Sequence, residues 1–125
     1  KTNGEKNFAI VDAGMNDYLR PALYQAEMEI KSVSPNSAQS KIYDIVGPVC
    51  ESGDFLGKDR KLPIETGDLL CLCDAGAYGF TMSSNYNSRC RPTEILIVDE
   101  SLHVIRERET FEDLIKNEKL IEYIN

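Results

Sequence analysis

Tryptophan is absent from this 125-residue chain, and histidine occurs once, at His103. Cys71 and Cys73 are only two apart, not in the roughly three- to five-residue knuckle that wraps a tetrahedral ion, so no pattern for a zinc centre exists. Positive charge is in deficit: 14 Lys and Arg stand against 21 Asp and Glu, a formal net charge of −7. No basic stripe is available to neutralise phosphates, so a nucleic-acid partner is not expected. Long apolar runs are also missing. The longest, residues 69–73, is far too short to span a bilayer, and nothing at the N-terminus resembles a secretory signal. The four cysteines (Cys50, Cys71, Cys73, Cys90) are too sparse for a disulfide framework. A soluble, cytoplasmic protein with reduced thiols and no membrane partner is the expectation, with Cys71 and Cys73 packed in the core from one face of a strand.

What the chain does have is a 42% hydrophobic content, enough for the core of one domain of ordinary size. It opens at Lys1 and passes through a polar stretch straight into an apolar strand, as a chain cut in a surface loop of a larger protein would. Residues 1–125 are read as a single domain of such a protein.

The pattern is mostly β. Residues 8–11 form a short apolar strand ended by Gly14, and Asn16 or Asp17 can cap a helix running through Tyr24. Residues 26–33 alternate with period two, residues 34–40 read as a loop, and residues 41–46 form a strand broken at Gly47-Pro48. The glycines, proline and charges of residues 54–68 predict an exposed connection, and residues 69–73 a buried strand. A long Gly/Ser/Asn-rich stretch, residues 76–92, precedes a hairpin of residues 94–98 and 102–106. Thr110 can cap a last helix with Asp113 at its third position. The sum is a small all-β barrel or sandwich with short helices attached.

Three polar clusters sit where strands end. In the first, Arg20 offers a rigid donor fork suited to a carboxylate or phosphate, and Tyr24 shares its helical face four residues on. In the second, Cys50 and Glu51 put a thiol beside a carboxylate in a turn, a proton source and an ion-pairing group together. In the third, Tyr78 stands between Gly76 and Gly79, where backbone can approach a ligand while the phenol stacks or donates. Each cluster alone is equally a half-buried Tyr beside a surface Arg, a solvated loop or an aromatic turn. His103 and the run 106–109 read as solvated strand positions.

Taken in order, these clusters resemble the C-terminal domain of the diaminopimelate decarboxylase family, fold-type III pyridoxal-phosphate enzymes of lysine biosynthesis. The segments that carry the resemblance are residues 11–26 with R-P-A-L-Y, residues 44–54 with C-E-S-G-D, residues 67–87 with G-A-Y-G, and R-P-T-E at residues 91–94. The resemblance implies a Greek-key β-barrel like the C-terminal domain of alanine racemase, with short helices including one near the C-terminus. It implies that Arg20 and Tyr24 bind substrate, the Arg through a carboxylate. Cys50 is then the proton donor, reaching a neighbouring subunit's site in a homodimer, and Glu51 holds the distal end of the substrate. Tyr78 contacts substrate and the cofactor, pyridoxal 5'-phosphate. The family's N-terminal (β/α)8 barrel, with its Schiff-base lysine and glycine-rich phosphate site, has no match here; Lys58 and Lys61 sit in the charged stretch and do not replace that lysine. Ornithine, arginine and carboxynorspermidine decarboxylases, and a non-catalytic binding or dimerisation module, are the alternatives.

Overall fold

The polar start of the chain is a hairpin: β1 (Thr2–Asn3) pairs antiparallel with β2 (Lys6–Ile10) across a two-residue turn that Gly4 enters at φ +61°. A computed structural model describes residues 1–35 and 37–122. The chain divides into two units, Lys1–Ser84 and a second from Asn85 onward.

In the first unit, β2 pairs in parallel with β4 (Lys41–Val46), setting Ala9 beside Ile45. A parallel neighbour requires a crossover, and residues 11–40 provide it, carrying helix α1 (Arg20–Tyr24) and strand β3 (Ile30–Ser32). Strand β5 (Phe55–Leu62) pairs antiparallel with β4 and completes the sheet in the order β1-β2-β4-β5. Strand β6 (Leu70–Leu72) pairs with β3 as a separate ribbon, and helix α2 (Gly79–Met82) follows. Tyr18, Ile30, Ile45, Leu56 and Leu62 form the buried core, against which Ala9, Val11, Tyr43 and Leu72 pack.

The second unit holds a 3₁₀ turn (Tyr86–Ser88), the hairpin of β7 (Glu94–Val98) and β8 (Ser101–Arg106), and helix α3 (Phe111–Ile115). The Arg91 guanidinium grips the Glu109 carboxylate, whose other oxygen accepts from the Arg91 amide at 2.9 Å and from Asn85 Nδ2 at 2.6 Å. The Glu109 amide returns a bond to the Arg91 carbonyl at 3.1 Å, so both ends of the hairpin are locked together. Thr110 and Asp113 form the capping box that their spacing predicts.

Mainly sheet with a few short helices is therefore the architecture, and five sequence expectations need correction. Residues 54–68 are not simply an exposed connection, because β5 occupies most of them. Gly57 reads as a loop signal, yet it is a packing requirement: a Cβ there would lie 2.7 Å from Ile30 Cδ1 and 2.9 Å from Arg60 Nε. Asp59, at φ +53°, marks the irregular register opposite Asp44, whose carboxylate accepts from the Asp59 amide at 2.9 Å and from Lys6 Nζ at 3.1 Å. Burial would raise the Asp44 carboxyl, but the Asp59 amide and the Lys6 ammonium outweigh it and hold it below the usual carboxylate range. The strand expected over 26–33 contracts to β3, although the expected alternation holds, with Ala26, Met28, Ile30 and Ser32 covered and Glu27, Glu29, Lys31 and Val33 exposed. The buried strand of residues 69–73 is only half-covered: Cys71 and Leu69 are exposed, and Cys73 is partly buried and outside the core cluster. Finally, α1 begins after Leu19 with no side-chain cap, because Asp17 serves a different turn, and the stretch 76–92 carries α2 and the 3₁₀ turn.

Candidate functional site

Gly14 sets the approach to α1. Its carbonyl accepts from the Asp17 and Tyr18 amides at 2.9 and 3.1 Å, while its own amide donates to Asp17 Oδ2 at 2.8 Å. This closed turn delivers the chain to Arg20, and buried Pro21 in the first helical turn fixes its direction. One turn of helix then puts Arg20 and Tyr24 on a common face, and Gln25 ends it in the left-handed conformation at φ 54°.

Tyr78 arrives from the other side. The Arg20 guanidinium carbon lies 5.6 Å from the centre of the Tyr24 ring and 5.3 Å from that of Tyr78, so the cation is bracketed by two aromatic faces. Two ties hold the brackets at this spacing. The Tyr18 hydroxyl donates to the Asp74 carbonyl at 3.3 Å, and the Ser84 amide donates to the Asn16 carbonyl at 2.9 Å. Burial pushes the Tyr18 phenol up, while the positive charge of Arg20 pulls the other way. Both site tyrosines stay open to solvent, Tyr24 at 60% and Tyr78 at 56%. Among the described residues no acidic side chain pairs with Arg20, which leaves its donor fork available to an anion.

Cys50 and Glu51 lie exposed on the loop between β4 and β5. That loop is anchored by Asp54, which is 4% exposed. Asp54 Oδ2 accepts from the Val49 amide at 2.7 Å, and Oδ1 accepts from the Met15 amide at 2.6 Å. Asp54 thus joins the segment next to Cys50 to the segment that leads to Arg20. The sequence offered Asp54 only as the last letter of C-E-S-G-D. Its signal was available in principle, since an Asp closing a glycine-containing loop is the residue type that bonds nearby amides. Tyr18 and Asn16, which tie the Tyr78 segment down, carried no signal.

Of the five expected site residues, three are brought together by ring contacts and two share an exposed loop. A concavity of about 580 Å³ between residues 8–11 and 64–70 contains none of them. Lys58 and Lys61 lie exposed on β5, with the Lys58 ammonium 3.9 Å from the Phe55 ring centre. Neither makes a hydrogen bond, ion pair or ring contact with Arg20, Tyr24 or Tyr78. Among the described residues no group of three or more His, Cys, Asp or Glu is placed to hold a metal, and no helix is long and apolar enough to cross a membrane.

The chain is similar to known proteins. The family model for the C-terminal sheet domain of pyridoxal-dependent decarboxylases matches residues 1–76. The diaminopimelate decarboxylase of Pseudomonas aeruginosa is 54% identical over 121 residues, which are 97% of this chain and 29% of that protein. That of Haemophilus influenzae is 54% identical over 115 residues, 91% of this chain and 28% of its own length. The crystal structure of diaminopimelate decarboxylase from M. jannaschii in complex with L-lysine superposes with a TM-score of 0.91 at 40% identity, covering 97% of this chain and 28% of that one. The chain thus spans less than a third of the length of the relatives it matches. It belongs to the pyridoxal-dependent decarboxylase family, as a C-terminal sheet domain.

Proposed function

We propose that this chain is the C-terminal part of a cytoplasmic decarboxylase that converts meso-2,6-diaminopimelate to L-lysine and carbon dioxide. In this reading residues 1–125 work as one domain beside an N-terminal barrel that holds pyridoxal 5'-phosphate. The observation that carries it is the bracket of Arg20 between Tyr24 and Tyr78: a fixed cation with unspent donors, walled by aromatic faces, suits an amino-acid carboxylate. The likeness to relatives named diaminopimelate decarboxylase, one of them solved with L-lysine, supports that choice of substrate.

The residues present fit the cofactor as its surroundings and not as its anchor, since neither Lys58 nor Lys61 makes a hydrogen bond, ion pair or ring contact with the bracket. Pyridoxal phosphate, when bound, supplies the electron sink for the carbon that loses its carboxylate. The roles of this chain are then distinct. Arg20 pairs with the carboxylate that is retained, and Tyr24 limits its position. Tyr78 packs against substrate and cofactor. Glu51 meets the distal ammonium group, so a substrate lacking an amino-acid end leaves buried polar groups unpaired and is rejected. Cys50 donates the proton that replaces the carboxylate, on one face of the carbon, a contribution of about 10²- to 10⁴-fold. Cys50 and Glu51, exposed on the loop between β4 and β5, serve the site of a second copy, and the active form is a homodimer.

The test is a substrate panel on the complete enzyme: meso-diaminopimelate, ornithine, arginine and carboxynorspermidine. Carbon dioxide release from the first, with at least about 10²-fold preference in kcat/KM over the others, supports the reading. Equal or better turnover of a substrate with no distal amino-acid group contradicts it, and full activity in a sedimenting monomer contradicts the shared site.

A further inference from the structure

We propose that Asp54 is a positioning residue for proton delivery, fixing the Cys50 loop to the body of its own domain with one buried carboxylate, so that the thiol is presented at a set place to the site it serves; this rests on the decarboxylase reading above. The carboxylate spans two strips of chain, with Oδ1 2.6 Å from the Met15 amide and Oδ2 2.7 Å from the Val49 amide. Hydrogen bonds from amides to an ionised carboxylate are the short, strong kind. The backbone of Asp54 adds two more, accepting from the Gly47 amide at 3.2 Å and donating to the Glu51 carbonyl at 3.1 Å. The loop that holds Cys50 is therefore pinned at its start, middle and end.

The packing leaves no room for adjustment. A Cβ at Gly47 would collide with Asp54 Oδ2 and lie 2.6 Å from Gly14 Cα and 2.7 Å from the Ala13 carbonyl. A Cβ at Gly14 would lie 3.0 Å from Asn16 Oδ1, 3.2 Å from Asp54 Oδ1 and 3.2 Å from Val49 Cγ2. Two glycines thus clear the space that the carboxylate fills, and Val49, directly before Cys50, is held within it.

The chemical step makes the placement of that loop matter. Breaking the carbon–carboxyl bond releases carbon dioxide and leaves the bonding pair with the substrate; the Cys50 S–H proton forms the new C–H bond, and the thiolate regains a proton from water. A misplacement of about 1 Å in a reacting group can cost about 10²-fold. A displaced thiol also lets water deliver the proton from either face.

The experiment uses the complete enzyme in D₂O, where the carbon that loses its carboxylate becomes CHD, and reads the stereochemical purity of the label in the lysine by NMR. The wild type gives one configuration. Asp54→Asn, which turns one acceptor into a donor facing an amide, is expected to lose about 10²-fold in kcat, more than KM rises, and to give both configurations. Asp44→Asn is the control: it disturbs another buried carboxylate, on β4 and outside the Cys50 loop, lowers the melting temperature and keeps the label pure. Should Asp54→Asn not fold, Gly47→Ala decides, since it keeps every hydrogen-bonding group while forcing a methyl group against Asp54 Oδ2, and a mixed label is again expected. A folded Asp54→Asn or Gly47→Ala enzyme with wild-type kcat and a pure label overturns the proposal, as does a mixed label in Asp44→Asn. Cys50→Ala run alongside separates the failures. If it too keeps rate and purity, the proton-donor reading is wrong; if it alone loses them, only the positioning role of Asp54 is.

Discussion

The guanidinium of Arg20 and the ring of Tyr78 meet at 5.3 Å although one opens α1 and the other immediately precedes α2. A cation over an aromatic face is worth roughly 0.5–1 kcal/mol at an exposed site, too little to assemble two segments alone. The Tyr18–Asp74 and Ser84–Asn16 bonds hold the segments, and the ring contact then orients the guanidinium. The bracket is an arrangement for presenting Arg20 and contributes little to stability.

Replacing that guanidinium by an ammonium tests this directly. Arg20→Lys keeps the charge but loses the planar fork and the stacking. In the complete enzyme it is expected to raise KM for meso-diaminopimelate by on the order of 10- to 100-fold, the factor set by a charged hydrogen bond of about 1.5–3 kcal/mol, with the melting temperature unchanged. Steady-state kinetics and thermal melts check it; an unaltered KM refutes the carboxylate role.

The junction of Gly14, Gly47 and Asp54 makes a stability prediction that needs no substrate. Gly47→Ala forces a methyl group against Asp54 and the backbone at 13–14 and is expected to cost about 1–3 kcal/mol. Gly53→Ala, in the same loop, meets nothing within 4 Å and should change stability by under about 0.5 kcal/mol. Urea denaturation of the pair distinguishes a tight junction from a generally glycine-dependent loop.

Core packing gives a third. Leu56 and Ile45 are fully buried on β5 and β4. Leu56→Ala should destabilise by about 2–5 kcal/mol, measured as a fall in the denaturation midpoint. A loss under about 1 kcal/mol would mean that β5 is not the core strand described.

Acid stability should depend on Glu109. The Arg91 side chain first, then the Arg91 amide, lower its carboxyl from 4.5 to about 2 in the folded chain. A carboxylate lowered on folding stabilises fully above its unfolded value and less as pH falls through its folded one. The advantage of wild type over Glu109→Gln should therefore be constant above about pH 4.5 and shrink from there toward pH 2. Denaturation of both forms across that range measures it; a difference that grows on acidification contradicts the sign.

What could be read in advance was what depends on near neighbours. The β7–β8 hairpin and the Thr110–Asp113 box follow from alternation and a three-residue spacing, and both are present. Strand β5 was missed because Gly57 and the charged residues 58–61 are loop signals locally; pairing with β4 and the seat of Ile30 over Gly57 override them. The partly exposed β6 was read as buried because hydrophobicity alone does not say which faces are covered. The site divides the same way. Arg20 with Tyr24 is legible from a helical turn, but Tyr78 joins them only through long-range ties, and the pair of hydrogen bonds that Asp54 accepts from the Val49 and Met15 amides is a property of the fold.

The measurement closest to the central claim is carbon dioxide release from meso-diaminopimelate by the complete enzyme and by its Cys50→Ala form, with L-lysine measured together. Lysine formed in step with carbon dioxide by the wild type, and a fall of about 10²- to 10⁴-fold on losing the thiol, is the predicted result. No release from that substrate, or an undiminished rate without Cys50, would contradict the account.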